Sequence, residues 1–277
     1  MQRPLVVCLL LLLAGCGNLT SLMFYPSKKL PVMPDRLGNE YQEVWHQAAD
    51  GTKLYSWWLP AHLKENEEAK GSIVFLHGNA QNISYHQLSV NWLPEQGYNV
   101  FLLGYRQFGK SEGLANLPNV YQDVHSGLSW VIEHGDSDRI FILGQSMGAT
   151  LAVYGLASYE HKQEVDALVL DAAFHSYPEM AAHAMASNWL TWLLQLPAYS
   201  ITDQYDPDQW INQRNDIPLM MLHSPDDQIV PYEFGRRLFE AADEPKTWLN
   251  SQEKHIASFN FKHVRKALLD YLESLSK

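Results

Sequence analysis

Cysteine is nearly missing from this chain: there are two in 277 residues, Cys8 and Cys16, both near the N-terminus. A disulfide framework beyond residue 16 is therefore excluded, and so is a cysteine nucleophile in the body of the chain. Lys/Arg blocks are also missing, and 31 acidic against 20 basic residues give a formal charge of −11. That balance speaks against nucleic acid as a partner, because phosphate binding asks for a basic surface. Twelve histidines are present, yet none stands in H-E-x-x-H spacing, and no cysteine is left to join them. Neither a metal centre nor any other cofactor is implied. Phosphate and dinucleotide loops are lacking too: "HGNAQN" has no following Lys-Ser/Thr pair, and "GQSMGA" does not fit a dinucleotide fingerprint. Beyond the first residues no apolar run is long enough to span a bilayer.

What is present first is a short apolar run, Leu5 to Ala14, behind Arg3. It is too short to span and ends in small residues, as export signals do. "LAGC" at 13–16 resembles the lipobox of bacterial lipoproteins, which implies residues 1–15 as a signal peptide and Cys16 as the lipidated residue. Position 17 is glycine and not the aspartate that resembles an inner-membrane retention signal, so in an organism with two membranes the expected location is the outer membrane, facing the periplasm. Residues 16–40 read as an anchor and irregular leader that packs by its aromatics at the domain edge.

Apolar residues make up 46% of the chain, enough for a packed globular core. "YQEVWHQAADGTKLYSWWLP" predicts two strands joined at Ala49–Asp50–Gly51. Five apolar bursts follow: "GSIVFLHG", "YNVFLLGY", "RIFILGQ", "VDALVLDA" and "IPLMMLHS". Such runs suit strands buried on both faces of a parallel sheet. Mixed segments with helical spacing separate them, at 85–96, 120–134 and 146–160, with another after Tyr232. Phe259, Val264, Leu268 and Leu272 predict a terminal helix packed by one face. The expected fold class is an open α/β architecture over residues 41–277, with its site beyond the C-terminal strand ends. The interval from about 174 to 216 breaks the rhythm and reads as a helical lid insertion. Its Met180, Met185, Trp189, Leu190, Trp192, Leu193, Leu194 and Leu196 either line an acyl pocket or fasten the lid to the sheet.

"GQSMG" at 144–148 sets one serine between two glycines, after a strand and before a helix. Ser146 is either a helix cap or a nucleophile on a crowded turn, with the Met147 amide facing a developing oxyanion. A serine hydroxyl needs a base and an orienting carboxylate. "MMLHSPDDQIVP" offers Asp226 and Asp227 after one apolar run, and Asp171 follows another. "WLNSQEKHIASF" offers His255 just before the last helix. The order Ser, Asp, His is that of the α/β-hydrolase fold.

"FLHGNAQN", "GYRQFGKSEG", "LGQSMGATLA", "HSPDDQIVPYEFG" and "KHI" together resemble the α/β-hydrolase superfamily, and within it the BEM46-like branch of exported or membrane-associated serine hydrolases. The resemblance runs from Tyr41 to the C-terminus. It implies a mostly parallel sheet flanked by helices, Ser146 as nucleophile, His255 as base and acid, and Asp227 as the orienting carboxylate. The oxyanion donors it implies are the backbone amides of Met147 and Asn79, with the Asn79 side chain not required. His77 is implied as a structural residue, and Ser111 as part of a turn. The sequence departs from the pattern at Gly104, Gln107, Ser224 and Lys254. The implied activity is cleavage of a small or lipid-like acyl ester or thioester. A serine peptidase or amidase of the same fold is the alternative, and a non-catalytic envelope-binding lipoprotein the second. The resemblance says nothing of oligomeric state.

Overall fold

Alternation within the apolar bursts decides the architecture. Val74 and Leu76, Phe101 and Leu103, and Ile142 point into one apolar core, while Ile73 and Phe75, Val100 and Leu102, and Leu143 point into another. A strand places successive side chains on opposite faces, so a run without polar residues must be covered on both. The computed structural model, which describes residues 19–187, 195–252 and 254–275, shows that arrangement. Cys16 and the expected signal, together with Trp189, Leu190, Trp192, Leu193 and Leu194, lie outside the described residues, as does the side chain of Leu196.

The strands are β1 (Tyr25–Pro26), β2 (Gln42–Gln47), β3 (Lys53–Leu59), β4 (Gly71–Leu76), β5 (Ala80–Gln81), β6 (Tyr98–Leu103), β7 (Ile140–Gln145), β8 (Ala167–Asp171), β9 (Leu219–His223) and β10 (Lys246–Asn250). Eight form one sheet in the order β10-β9-β8-β7-β4-β6-β3-β2, and β1 pairs with β5 in a separate parallel ribbon. Only β2–β3 and β3–β6 are antiparallel; the other pairs are parallel. The β2–β3 hairpin turns at the expected residues, with Gly51 at φ +83°. This is the α/β-hydrolase fold, with a mostly parallel sheet, flanking helices and an insertion resembling a lid.

The longer helices are α1 (Asn119–His134), α2 (Met147–Ala157), α3 (Tyr177–Ala186), α4 (Tyr232–Ala241) and α5 (Lys262–Ser274). α1 and α2 cover one face of the sheet, and α5 covers the other through Val264, Leu268 and Leu272. The segment expected as a helix over 85–96 is not one. It breaks into a single α-turn, Ile83–His86, and 3-10 turns at Gln87–Ser89 and Pro94–Gln96. Pro94 has no N–H to donate, Gly97 ends the last turn at φ +87°, and the Gln87 amide donates to Val32 and Ser84 carbonyls. The insertion carries α3 and the short helices Gln195–Ala198, Pro207–Trp210 and Ile211–Arg214. Met180 of α3 packs against the α2-side core, as a lid fastener would. No helix among the described residues is long and apolar enough to cross a membrane.

Strand order places the site. β4 lies between β6 and β7, so the chain leaves it toward one edge and later returns on its other side. Loops beyond the C-terminal ends of adjacent strands part at such a point and leave a crevice. The loops after β4, β7, β9 and β10 carry Asn79, Ser146, Asp227 and His255.

Candidate active site

The turn after β7 is built by close approach. A Cβ on Gly148 would come within 2.5 Å of the His77 carbonyl oxygen and closer still to that of Leu76. A Cβ on Gly144 would meet Ala149 Cα at 2.5 Å. With both side chains absent, α2 starts directly over the end of β4. Ser146 takes φ +55° and ψ −122°, an unusual conformation for a residue with a side chain. Its amide donates to the Asp171 carbonyl at 2.8 Å, and its own carbonyl accepts from Thr150 at 3.1 Å. We expect Gly148→Ala to lower the melting temperature by roughly 5 °C or more, since overpacking against backbone costs about 1–3 kcal/mol or above. Calorimetry beside the parent protein checks this.

Ser146 occupies the N-cap position of α2, but its side chain makes no capping bond. Its Oγ lies 2.8 Å from His255 Nε2 instead. His255 Nδ1 lies 2.7 Å from Asp227 Oδ2. A carboxylate only accepts, so Nδ1 carries the proton and donates to Asp227, leaving Nε2 to accept from the serine hydroxyl. The Ser146 residue is 8% exposed and the Asp227 side chain 1%, while the His255 side chain keeps 16%, so a substrate reaches the pair from one side.

Asp227 is held by more than His255. Its Oδ1 accepts from the Ile229 and Val230 amides at 2.8 and 3.0 Å. His223 Nε2 stands 3.5 Å from Oδ2 and 3.1 Å from the Val230 carbonyl. Burial pushes the Asp227 pKa up, but the His223 and His255 contacts, with the backbone donor, outweigh it and hold the group below the ordinary carboxylate range. Asp226 differs: its amide donates to Ser224 Oγ, and no contact joins its carboxylate to His255 among the described residues.

Asp171 does not orient His255. Its two oxygens accept from Gln145 Nε2 and Ser258 Oγ, both at 2.8 Å, tying the serine turn to the loop that carries His255. Burial raises its pKa. His77 is structural as expected: its Nδ1 donates to the Gly78 carbonyl at 2.7 Å, and its ring stacks on His86. Burial, with His86 close by, keeps His77 neutral. Ser111 Oγ donates to Gly104 O and accepts from the Tyr55 amide, so it fastens a turn.

The Asn79 and Met147 amides flank the serine turn, one beyond β4 and one at the first residue of α2. Neither donates to a backbone acceptor among the described residues. The Asn79 side chain, however, is engaged, donating to the Met23 carbonyl at 3.1 Å. Sequence reasoning missed three partners: His223 beside Asp227, the Gln145–Asp171–Ser258 link, and the leader on Asn79. The strand-end position of His223, four residues before Asp227, was the one available signal.

A strained serine in hydrogen-bonded line with an imidazole and a buried carboxylate, on a switched α/β sheet, defines a serine hydrolase. The chain belongs to the family described as Hydrolase_4, serine aminopeptidase, S33, whose model matches residues 67–212. It is 30% identical to the Escherichia coli O157:H7 protein YfhR over 94% of this chain and 90% of that protein. It is 27% identical to the lysophosphatidylserine lipase ABHD12 of Danio rerio over 78% of this chain and 59% of the relative. Among solved structures, the Pyrococcus furiosus esterase Pf2001 superposes with a TM-score of 0.75 at 21% identity, covering 92% of this chain and 99% of the esterase, which shows the common fold.

Proposed function

We propose that this serine hydrolase, of the BEM46-like branch, cleaves carboxylic esters or thioesters of a lipid-like acyl group through an acyl-enzyme. The observation that carries the reading is the unbroken line from Ser146 Oγ through His255 to Asp227, at 2.8 and 2.7 Å. Ser146 attacks the acyl carbonyl carbon while His255 Nε2 takes the hydroxyl proton. The carbonyl oxygen becomes an oxyanion and receives the Met147 and Asn79 amides, with the α2 terminus adding positive potential. His255 passes its proton to the departing alcohol or thiol, leaving the acyl group on Ser146. Water then loses a proton to His255 and attacks the acyl carbon, and the acid departs as Ser146 regains its proton.

One apolar side chain stands beside the triad: Ile229, whose amide donates to Asp227 Oδ1, is 55% exposed. The lipase named among the relatives supports a lipid-like acyl substrate. The family description also names an aminopeptidase, and that reading predicts amide cleavage. We expect turnover of p-nitrophenyl esters that improves with acyl length, and no turnover of aminoacyl-p-nitroanilides. The reverse preference would assign the chain to the peptidase reading.

We also propose that Cys16 bears the lipid that anchors the protein at the envelope, on the outer membrane facing the periplasm. Radiolabelled palmitate entering the parent protein and absent from Cys16→Ser would support the anchor; equal labelling of both would defeat it.

A further inference from the structure

We infer that the leader around Met23–Ser27 positions the oxyanion loop, an inference that rests on the assignment of the Asn79 amide as an oxyanion donor. The leader was expected to pack by aromatics at the domain edge. It does so through the buried Phe24, and it also runs along the loop after β4, where Tyr25 and Pro26 pair in parallel with Ala80 and Gln81. The Tyr25 amide donates to the Asn79 carbonyl at 2.8 Å, and the Asn79 side chain donates to the Met23 carbonyl at 3.1 Å. The carbonyl and the side-chain NH₂ of Asn79 are thus tied to the leader, and its backbone N–H has no partner among the described residues.

The leader on either side of that strand holds the next residues. Gln81 sits at φ +64°, a left-handed conformation that persists in a residue with a side chain only where its surroundings fix it. The Ser27 amide donates to the Gln81 carbonyl at 2.9 Å, and the Asn82 side chain donates to the Ser27 and Lys29 carbonyls at 2.7 and 2.8 Å. Phe24 is buried and meets Phe108 edge-on, and Phe108 meets the His77 ring at 5.0 Å. The loop is gripped from the leader side at backbone, side chain and ring. An oxyanion donor contributes only when aimed at the place where charge develops, so a small rotation of the Asn79 peptide weakens catalysis while leaving substrate binding intact.

The test uses the full chain. Asn79→Ala keeps the backbone amide and removes the bond to Met23. Tyr25→Pro removes the N–H that holds the Asn79 carbonyl, and Tyr25→Ala retains it. For Asn79→Ala we expect kcat on a p-nitrophenyl ester to fall about tenfold with KM within about twofold, and Tyr25→Pro to fall about tenfold below Tyr25→Ala. The Ki of a trifluoromethyl ketone, which forms an oxyanion on the serine, should rise by the same factor. Unchanged kcat, or a lower kcat with an unchanged Ki, in folded Asn79→Ala overturns the positioning role even if Tyr25→Pro does not fold. A parent protein that neither hydrolyses the ester nor binds the ketone overturns the hydrolase reading itself, and the inference with it.

Discussion

Ser146→Ala lowers kcat on a p-nitrophenyl ester by a factor on the order of 10³ or more and ends labelling by a fluorophosphonate. The hydroxyl is the only group of Ser146 engaged with His255, and the backbone bonds to Asp171 and Thr150 do not involve it. The fold therefore stays intact while the reaction stops. His255→Ala has an effect of the same order, because an unassisted serine hydroxyl is a poor nucleophile. The two losses do not add. Oγ and Nε2 share one proton, so after either is gone the other has nothing left to contribute. The double variant should fall within about tenfold of the weaker single variant, measured at one pH on one ester. Losses that multiply would mean the two residues act separately.

Asp227→Asn has the second large effect, on the order of 10³ or more in kcat, the class of loss known from the serine-protease triad. The geometry gives the reason. Oδ1 accepts from the Ile229 and Val230 amides, so the carboxamide oxygen takes that place and the NH₂ turns to His255. Nδ1 must then accept, Nε2 carries the proton, and the imidazole can no longer receive one from Ser146. The same NH₂ also confronts His223 Nε2, which donates to the Val230 carbonyl. The substitution should also change the pH dependence of stability. Asp227 has its pKa lowered in the folded state, with burial opposed and outweighed by its donors. The unfolded carboxyl therefore binds its proton first as pH falls, and the stabilisation, full above about pH 4, is lost below it. Urea unfolding of parent and Asp227→Asn should show a gap at pH 7 that narrows at pH 3. A gap that widens in acid would contradict the depressed pKa.

Much of this was legible in the sequence because it depends on patterns the chain cannot avoid. Buried parallel strands require unbroken apolar runs, and the five bursts at the centre of the sheet are such runs. The tight serine turn requires glycine at 144 and 148, and both were there to read. The terminal helix showed its buried face through Val264, Leu268 and Leu272. What escaped notice depends on contacts between distant segments. The leader's pairing with Ala80–Gln81 joins residues more than fifty positions apart through backbone groups, which carry no side-chain signature. Asp171 stood at a strand end like a triad acid, yet its two oxygens are taken by Gln145 and Ser258. The 85–96 segment had helical spacing, but Pro94 and the Gln87 side-chain bonds to Val32 and Ser84 prevented a continuous helix.

The most direct measurement is to quench the protein in the burst phase with an activated ester and map the acylated residue by peptide mass. A single acyl group on the peptide containing Ser146, absent from Ser146→Ala, is the expected result. Ester turnover that persists undiminished in Ser146→Ala, or an acyl group carried by another residue, would contradict a hydrolase centred on that serine.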